Sequence, residues 1–208
     1  MTTMTYRNHL QFRFVLLGFT LTTSLLMAAD KPATAPVPAP ADKVAAAIAS
    51  QDVVQVAPPR VQRFPAMTVF YKSTRTTISE MSKVAGPMMA SLMKTARESG
   101  VQIEGSIMFI YHGASPDPTK PFDLDVAAVV IADAKPAGDF KVKQLPAFNC
   151  VSTVYCGPVY RVGEAYGQLI AQCEAAGVQP ADETREMYLY WEAMDSPNNV
   201  TLVQVGIK

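Results

Sequence analysis

Apolar residues recur along this chain at two spacings, that of a strand and that of a helix. Alternation and short apolar runs predict strands over 61–64, 67–73, 106–111, 123–131, 140–145, 148–156, 184–192 and 200–207. Helical spacing occupies two segments between them, one ending at Gly100 and the other at Gly177. Pro87 leaves open whether 78–85 is a separate turn or the kinked start of the first helix.

The second half of this pattern repeats the first at an offset of 77 residues. The matching residues are Leu92, Gly100, Val101, Gln102 and Tyr111, which recur as Leu169, Gly177, Val178, Gln179 and Tyr188. Self-similarity of this kind predicts two copies of one β-β-α-β-β unit, over 61–131 and 140–207. We therefore expect an α+β fold with antiparallel sheets, one helix per repeat covering one face, and a pseudo-twofold central cleft between facing sheets.

The two copies differ in charge within one matching strand, because Glu186 stands where the first copy has Phe109. Strand alternation places Glu186 on the same face as Tyr188 and Tyr190, and Met187 on the opposite face. We expect the helices to cover the Met187 side and the Glu186 side to stay open.

The same parity brings further aromatic residues to the face of Glu186. They are Phe109 and Tyr111 of the first copy, and the ligand hypothesis adds Tyr155 as a further aromatic face. Carboxylates among aromatic rings attract flat cations, and burial would raise the pKa of such a carboxyl group, as a general acid or base needs. The alternative is that Glu186 is an ordinary exposed strand residue. Trp191 has the parity of Met187, which predicts core packing unless a bulge intervenes.

The first 59 residues differ in composition from the rest. Arg7 and Arg13 precede an apolar, acid-free run over 14–29, which predicts a signal peptide over 1–29. That run has 16 residues, short of the roughly 20 that span a bilayer, so a retained anchor over 14–29 is the alternative. Residues 30–59 are rich in Ala and Pro and predict a disordered linker. We thus expect an exported domain, periplasmic or secreted, over 60–208.

Charge and motifs exclude several classes of function. The chain has 18 basic and 18 acidic residues, and removal of Arg7 and Arg13 leaves 16 against 18, a net charge of −2. Nucleic acid is therefore not an expected partner. The sequence has no phosphate-binding loop, no G-x-S-x-G elbow and no metal-spaced His/Cys cluster, so we expect neither cofactor nor metal.

Other polar residues have less specific interpretations. Asp117, Asp123 and Asp125 do not have the spacing of a calcium loop and predict a solvated turn, and His112 is interpreted as structural or solvated. The three cysteines allow at most one disulfide. Cys150 and Cys156 lie too far apart on one strand to bridge, whereas Cys156 with Cys173 is geometrically open, and three buried thiols are the alternative.

Several short motifs, in this order, resemble the GyrI-like small-molecule-binding family. They are Phe64-Pro65-Ala66, Gly100-Val101, Tyr111-His112, Phe122 to Val126, Gly157 to Tyr160, Gly177 and Arg185 to Tyr188. The resemblance implies a central cleft for hydrophobic, often cationic, aromatic compounds, with Glu186 as its key charge. Its ligand-binding residues would be Glu186, Tyr188, Tyr190, Tyr111, Phe109 and Tyr155.

Two functions follow from this resemblance. The first is an exported module that binds a small organic ligand and needs no cofactor. The second is an enzyme, since some family members are similar to hydrolases of strained-ring electrophiles, and Glu186 would then be the acid/base with Tyr188 as an orienting hydroxyl. The export signal argues against the transcription-factor role of other members, and membrane contact is expected only through an uncleaved first segment.

Overall fold

The computed structural model describes residues 55–208. The signal peptide, the anchor alternative and residues 30–54 of the linker lie outside the described residues. The strands are β1 (Gln55–Val56), β2 (Arg60–Phe64), β3 (Met67–Thr76), β4 (Ile103–His112), β5 (Phe122–Val130), β6 (Lys141–Leu145), β7 (Phe148–Cys156), β8 (Pro180–Tyr190) and β9 (Val200–Ile207). The helices are α1 (Met81–Glu98) and α2 (Gly163–Ala175). Neither helix of the described part is long and apolar enough to cross a membrane.

All of these strands join one continuous antiparallel sheet. Its order is β1-β7-β9-β8-β4-β5-β3-β6, and β2 also pairs with β7. The antiparallel α+β prediction is confirmed, but two facing sheets are not what the chain forms. The reason is that β4 of the first repeat pairs directly with β8 of the second, from Ile107 with Tyr188 to His112 with Glu183. This pairing gives hydrogen-bond partners to backbone N–H and C=O groups that two separate sheets would leave unpaired at their edges.

Both helices end in the same way. Gly100 and Gly177 adopt φ angles of 68° and 65°, a left-handed conformation that glycine adopts without a steric penalty. In each case the next residue donates a backbone hydrogen bond to the last turn, from Val101 to the Ala96 carbonyl at 2.8 Å and from Val178 to the Cys173 carbonyl at 2.9 Å. The question over 78–85 is also answered, because a 3₁₀ turn at Ile78–Glu80 leads directly into α1.

The two helices cover one face of the sheet, and it is the aromatic face. Phe109, Tyr111 and Tyr188 share a buried cluster with Leu92 and Ala96 of α1. Met187 packs on the opposite face in a separate cluster. Our expectation that the Glu186 side would be open is therefore wrong. Alternation determines which residues share a face, and the larger apolar area of the aromatic rings places that face under the helices.

The three cysteines of the described residues are unpaired thiols. Cys150 and Cys173 are buried, and Cys156 is half-buried. Burial raises the pKa of the Cys150 thiol to about 11, which keeps it protonated and unreactive at neutral pH. The open pairing of Cys156 with Cys173 is not formed.

Candidate functional site

Glu186 lies on β8 near the middle of the sheet, and only 2% of its surface is exposed. Its direct neighbours across the ladder are Phe109 on β4 and Val203 on β9. Phe109 and Glu186 are also the two positions related by the offset of 77 residues. An acid present in only one half therefore lies at a position where the paired strands β4 and β8 of the two halves meet.

Three tyrosine hydroxyls surround the carboxylate of Glu186. Tyr188, two residues along the same strand, donates a hydrogen bond to Oε2 at 2.7 Å. Tyr166 on α2 donates to Oε1 at 3.0 Å. The buried phenol of Tyr111 on β4 is the third, and its interaction with Glu186 lowers the pKa of the carboxyl group. Sheet and helix thus combine to satisfy both carboxylate oxygens.

Burial sets the electrostatics of this cluster. Desolvation raises the pKa of the Glu186 carboxyl group above its ordinary value, although the hydrogen bonds from Tyr188, Tyr111 and Tyr166 oppose the rise. Desolvation and the nearby carboxylate raise the pKa of all three phenols well above their ordinary value. No salt bridge within residues 55–208 involves Glu186. The ionised site is therefore a buried negative charge without a cation.

Aromatic rings form a wall beside the carboxylate. The Phe109 and Tyr188 rings meet edge to face with centroids 5.0 Å apart. On its other side Tyr188 meets Trp191 at 5.6 Å, again edge to face. Such rings present apolar area and negative faces to a ligand.

Trp191 reaches this wall because the β8–β9 register shifts between Tyr188 and Tyr190. That bulge reverses the alternation, so Trp191 packs against the cluster of Tyr188 rather than with Met187. The parity that predicted the Met187 side is wrong for this residue. The sequence contains no glycine or proline at the bulge to signal it.

Two residues of the predicted ligand set lie apart from Glu186. Tyr190 is 51% exposed, and its hydroxyl donates to Glu192 at 2.9 Å. Tyr155 is buried in the cluster beneath α2, and its hydroxyl donates to the Pro158 carbonyl at 2.6 Å. The structure brings together the other four, Glu186, Tyr188, Tyr111 and Phe109.

Tyr166 is the site residue that sequence reasoning missed. It belongs to the apolar stripe of α2, together with Ala165 and Leu169, and helical spacing alone marks it as core. A signal was nevertheless present, because a tyrosine on a buried helical face needs a hydrogen-bond partner for its hydroxyl.

The acidic residues predicted to form a solvated turn do not behave alike. Asp117 lies in the loop after β4 and accepts a hydrogen bond from the Thr119 backbone at 2.9 Å. Asp123 is largely exposed. Asp125, in contrast, is only 3% exposed, so the prediction is wrong for this residue. Its neighbours from adjacent strands satisfy it by side-chain hydrogen bonds. Within residues 55–208, no group of three or more His, Cys, Asp or Glu is arranged to hold a metal ion.

Solved structures share this architecture. The EcmrR C-terminal domain has a TM-score of 0.61 at 22% identity, over 75% of this chain and 98% of that one. EcmrR in its DNA complex has a TM-score of 0.60 at 20% identity, over 81% of this chain but only 63% of that one, less than two thirds of its length. SAV2435 bound to tetraphenylphosphonium has a TM-score of 0.53 at 9% identity, over 72% of this chain and 93% of that one. These likenesses place the chain in a class of α+β domains built on one antiparallel sheet with two helices.

The family model for the GyrI-like small molecule binding domain matches residues 57–208, and the chain belongs to this family. The family predicted from the motifs is thereby confirmed. Domains of this family bind small molecules. Among curated protein sequences, none matches this chain.

Proposed function

We propose that this protein is an exported binding module that captures a hydrophobic, cationic aromatic molecule at Glu186. The observation that carries the proposal is a carboxylate with 2% exposure, hydrogen-bonded to tyrosine hydroxyls and without a cationic partner among the described residues. Ionised carboxylates are costly to bury unless a cation compensates them. A ligand cation would supply that charge, and Phe109, Tyr188 and Trp191 would contact its rings.

The repeat explains why only one such charge is present. We infer that the halves are duplicated units meeting at a pseudo-twofold axis, since Phe109 and Glu186 are both offset-related and directly paired. Equivalent faces would offer the same chemistry on both sides. Glu186 in place of a second phenylalanine makes the pocket one-sided, and a cation would bind on that side.

Binding requires a movement, because Glu186, Tyr188, Tyr111 and Phe109 are all buried. Helix α2 is the element suited to move. It has only 13 residues, contains Gly163 and Gly167, and begins at Val162 without a side-chain cap. Each of these features weakens a helix. Displacement of α2 would withdraw Tyr166 and free Oε1 for the ligand.

The ligand class is also supported by a structural neighbour. SAV2435 was solved with tetraphenylphosphonium, an aromatic cation whose charged centre carries no hydrogen-bond donor. A ligand of that chemistry would depend on a buried carboxylate and ring contacts, as found here. We therefore take tetraphenylphosphonium as the probe.

Thermal unfolding and calorimetric titration of the purified protein test the proposal. We expect tetraphenylphosphonium to raise the Tm in proportion to the logarithm of its concentration, and Glu186→Gln to weaken binding about tenfold or more. Glu192→Gln is the matched control, since Glu192 is an acid just beyond the end of β8 whose side chain accepts hydrogen bonds from Tyr190, Ser196 and Asn198, and the variant should bind as the wild type does. Equal binding by Glu186→Gln and the wild type would contradict the proposal.

Hydrolysis of strained-ring electrophiles is the second candidate. The raised pKa of Glu186 favours it, because a protonated carboxyl group beside the Tyr188 hydroxyl at 2.7 Å is a general-acid arrangement. Incubation with an epoxide, followed by mass spectrometry for the diol, decides between the functions. A diol that forms with the wild type but not with Glu186→Gln would establish the enzyme.

Export is tested separately. Cell fractionation and N-terminal sequencing of the mature protein should find it outside the cytoplasm and lacking residues 1–29. A protein that retains 14–29 in the membrane fraction would support the anchored form instead.

A further inference from the structure

A second polar cluster lies on the sheet face opposite the helices. Its centre is Asp125 on β5, which is only 3% exposed. His112 Nε2 on β4 donates to Oδ2 at 3.1 Å, and Lys143 Nζ on β6 donates to the same atom at 2.6 Å. The Ser73 hydroxyl on β3 donates to Oδ1. Side chains from three other strands thus converge on one carboxylate, although no helix covers them.

The cluster continues across the sheet to β8. His112 Nδ1 lies 3.9 Å from Glu183 Oε2. The other oxygen of Glu183 accepts a hydrogen bond from Arg185 Nε at 2.6 Å. Arg185 is 1% exposed, with its guanidinium 3.8 Å from the Phe148 ring centroid. These contacts hold His112 in place between two carboxylates.

A cavity of about 520 Å³ opens onto this cluster. Its lining consists of Ser73, Thr74, Arg75, His112, Asp123 and Asp125. Its volume lies within the range of small-molecule sites, roughly 300 to 1,000 Å³. Unlike most such sites, the lining contains no apolar residue. Specific contacts in it must therefore come from polar and charged side chains.

The charges around the cavity balance. Arg75 forms an ion pair with Asp123 at 3.0 Å, and Lys143 forms one with Asp125 at 2.6 Å. The two carboxylates would repel a ligand anion, and the guanidinium and ammonium groups would repel a ligand cation. Neither sign is favoured, so electrostatics select for a neutral ligand.

The hydrogen-bonding groups specify the ligand further. Arg75 contacts Asp123 through one nitrogen, and both side chains are largely exposed, so other donors of Arg75 and the second oxygen of Asp123 face solvent. The wall thus offers donors beside acceptors. A hydroxyl group both donates and accepts, and neighbouring hydroxyls match such a wall.

We propose that this cavity is a second binding site, for a neutral hydroxyl-rich molecule of the size of a mono- or disaccharide. It shares no residue with the Glu186 site and lies on the opposite face of β4, β5 and β8. Arg75 and Asp123 bind vicinal hydroxyls, His112 and Ser73 contact the inner side of the ligand, and Asp125 fixes both of them from beneath.

Titration followed by amide NMR tests the site, with maltose, inorganic phosphate and tetramethylammonium as probes. We expect maltose to shift the backbone amides of Ser73 to Arg75 and Asp123 to Asp125, with the other two probes inert. Asp123→Asn should weaken maltose binding about fivefold. Lys72→Ala is the matched control, because Lys72 forms an exposed ion pair of the same 3.0 Å length with Asp139, outside the cavity.

Three results would overturn the proposal. The first is no amide shift with maltose. The second is a shift with phosphate or tetramethylammonium in its place, which would assign a charged ligand. The third is equal maltose binding by Asp123→Asn and the wild type. Asp123→Asn changes an exposed residue, so the variant should fold, and its unperturbed amide spectrum is the check.

Discussion

Tyr166 on α2 donates a hydrogen bond of 3.0 Å to Oε1 of Glu186 on β8, so a helix is fastened to a buried carboxylate in the sheet. The bond joins the element that covers the site to the charge that the site contains. Any ligand that reaches Oε1 must replace this hydroxyl.

Removal of that hydroxyl should loosen α2. We expect Tyr166→Phe to lower the local stability of the helix by about 1 to 2 kcal/mol, because a hydrogen bond to a charged acceptor is lost while the ring remains. Hydrogen exchange of the α2 amides, such as those of Leu169 and Ile170, measures the change. Tyr160→Phe is the control, since Tyr160 is 71% exposed on the preceding turn. Unchanged exchange in Tyr166→Phe would refute the fastening role.

The raised pKa of Glu186 gives stability a defined pH dependence. The folded protein holds this proton to higher pH than the unfolded chain does, so stability falls as pH rises from the ordinary glutamate pKa, about 4.3, through the folded value. Glu186→Gln removes that loss. In urea unfolding, the unfolding free energy of the variant relative to that of the wild type should therefore increase as pH increases.

Glu192 is the contrasting acid for that experiment. Hydrogen bonds from Ser196, Asn198 and Tyr190 lower its pKa, so its contribution to stability is present at neutral pH and is lost as pH falls. Glu192→Gln should therefore have a lower unfolding free energy than the wild type at neutral pH and an equal one at acidic pH. Parallel pH profiles for the two variants would contradict the assignment of a raised pKa to Glu186.

Trp191 should report on the Glu186 site. It is the one tryptophan of the sequence, and its ring meets that of Tyr188 at 5.6 Å. We expect tetraphenylphosphonium to change its fluorescence emission in the wild type and not in Glu186→Gln. Trp191→Leu should weaken binding by about 0.5 to 1.5 kcal/mol, the worth of an aromatic contact. An emission change of equal size in Glu186→Gln would place the ligand elsewhere.

Two glycines should respond oppositely to alanine. A Cβ at Gly206 would lie 2.8 Å from the Glu183 carbonyl oxygen and 3.0 Å from the Phe148 ring, so Gly206→Ala should cost about 1 to 3 kcal/mol of unfolding free energy. A Cβ at Gly167 meets nothing within 4 Å, and Gly167→Ala should stabilise α2 by roughly 0.5 to 1 kcal/mol. Urea unfolding measures both. If α2 must move for entry, Gly167→Ala should also slow ligand association.

Local pattern determined most of the elements. Strands β7 and β9 occupy the predicted residues 148–156 and 200–207, and the glycines that were expected to stop the helices do so. These features depend on neighbours within a few residues, namely side-chain alternation and the φ angle of one glycine. The motifs also identified the family, and with it Glu186 as the residue to examine.

Tertiary structure alone decided how those elements surround Glu186. Alternation could not tell which face the helices cover, because both faces of β8 carry apolar residues and the choice depends on area buried against distant segments. The bulge that turns Trp191 toward Tyr188, and the α2 hydroxyl that reaches Oε1, also arise from contacts between distant parts of the chain. The sequence by itself therefore determined the elements, the family and Glu186 as the candidate acid. Long-range packing decided that Glu186 is buried, which hydroxyls bond to it and which element must move to expose it.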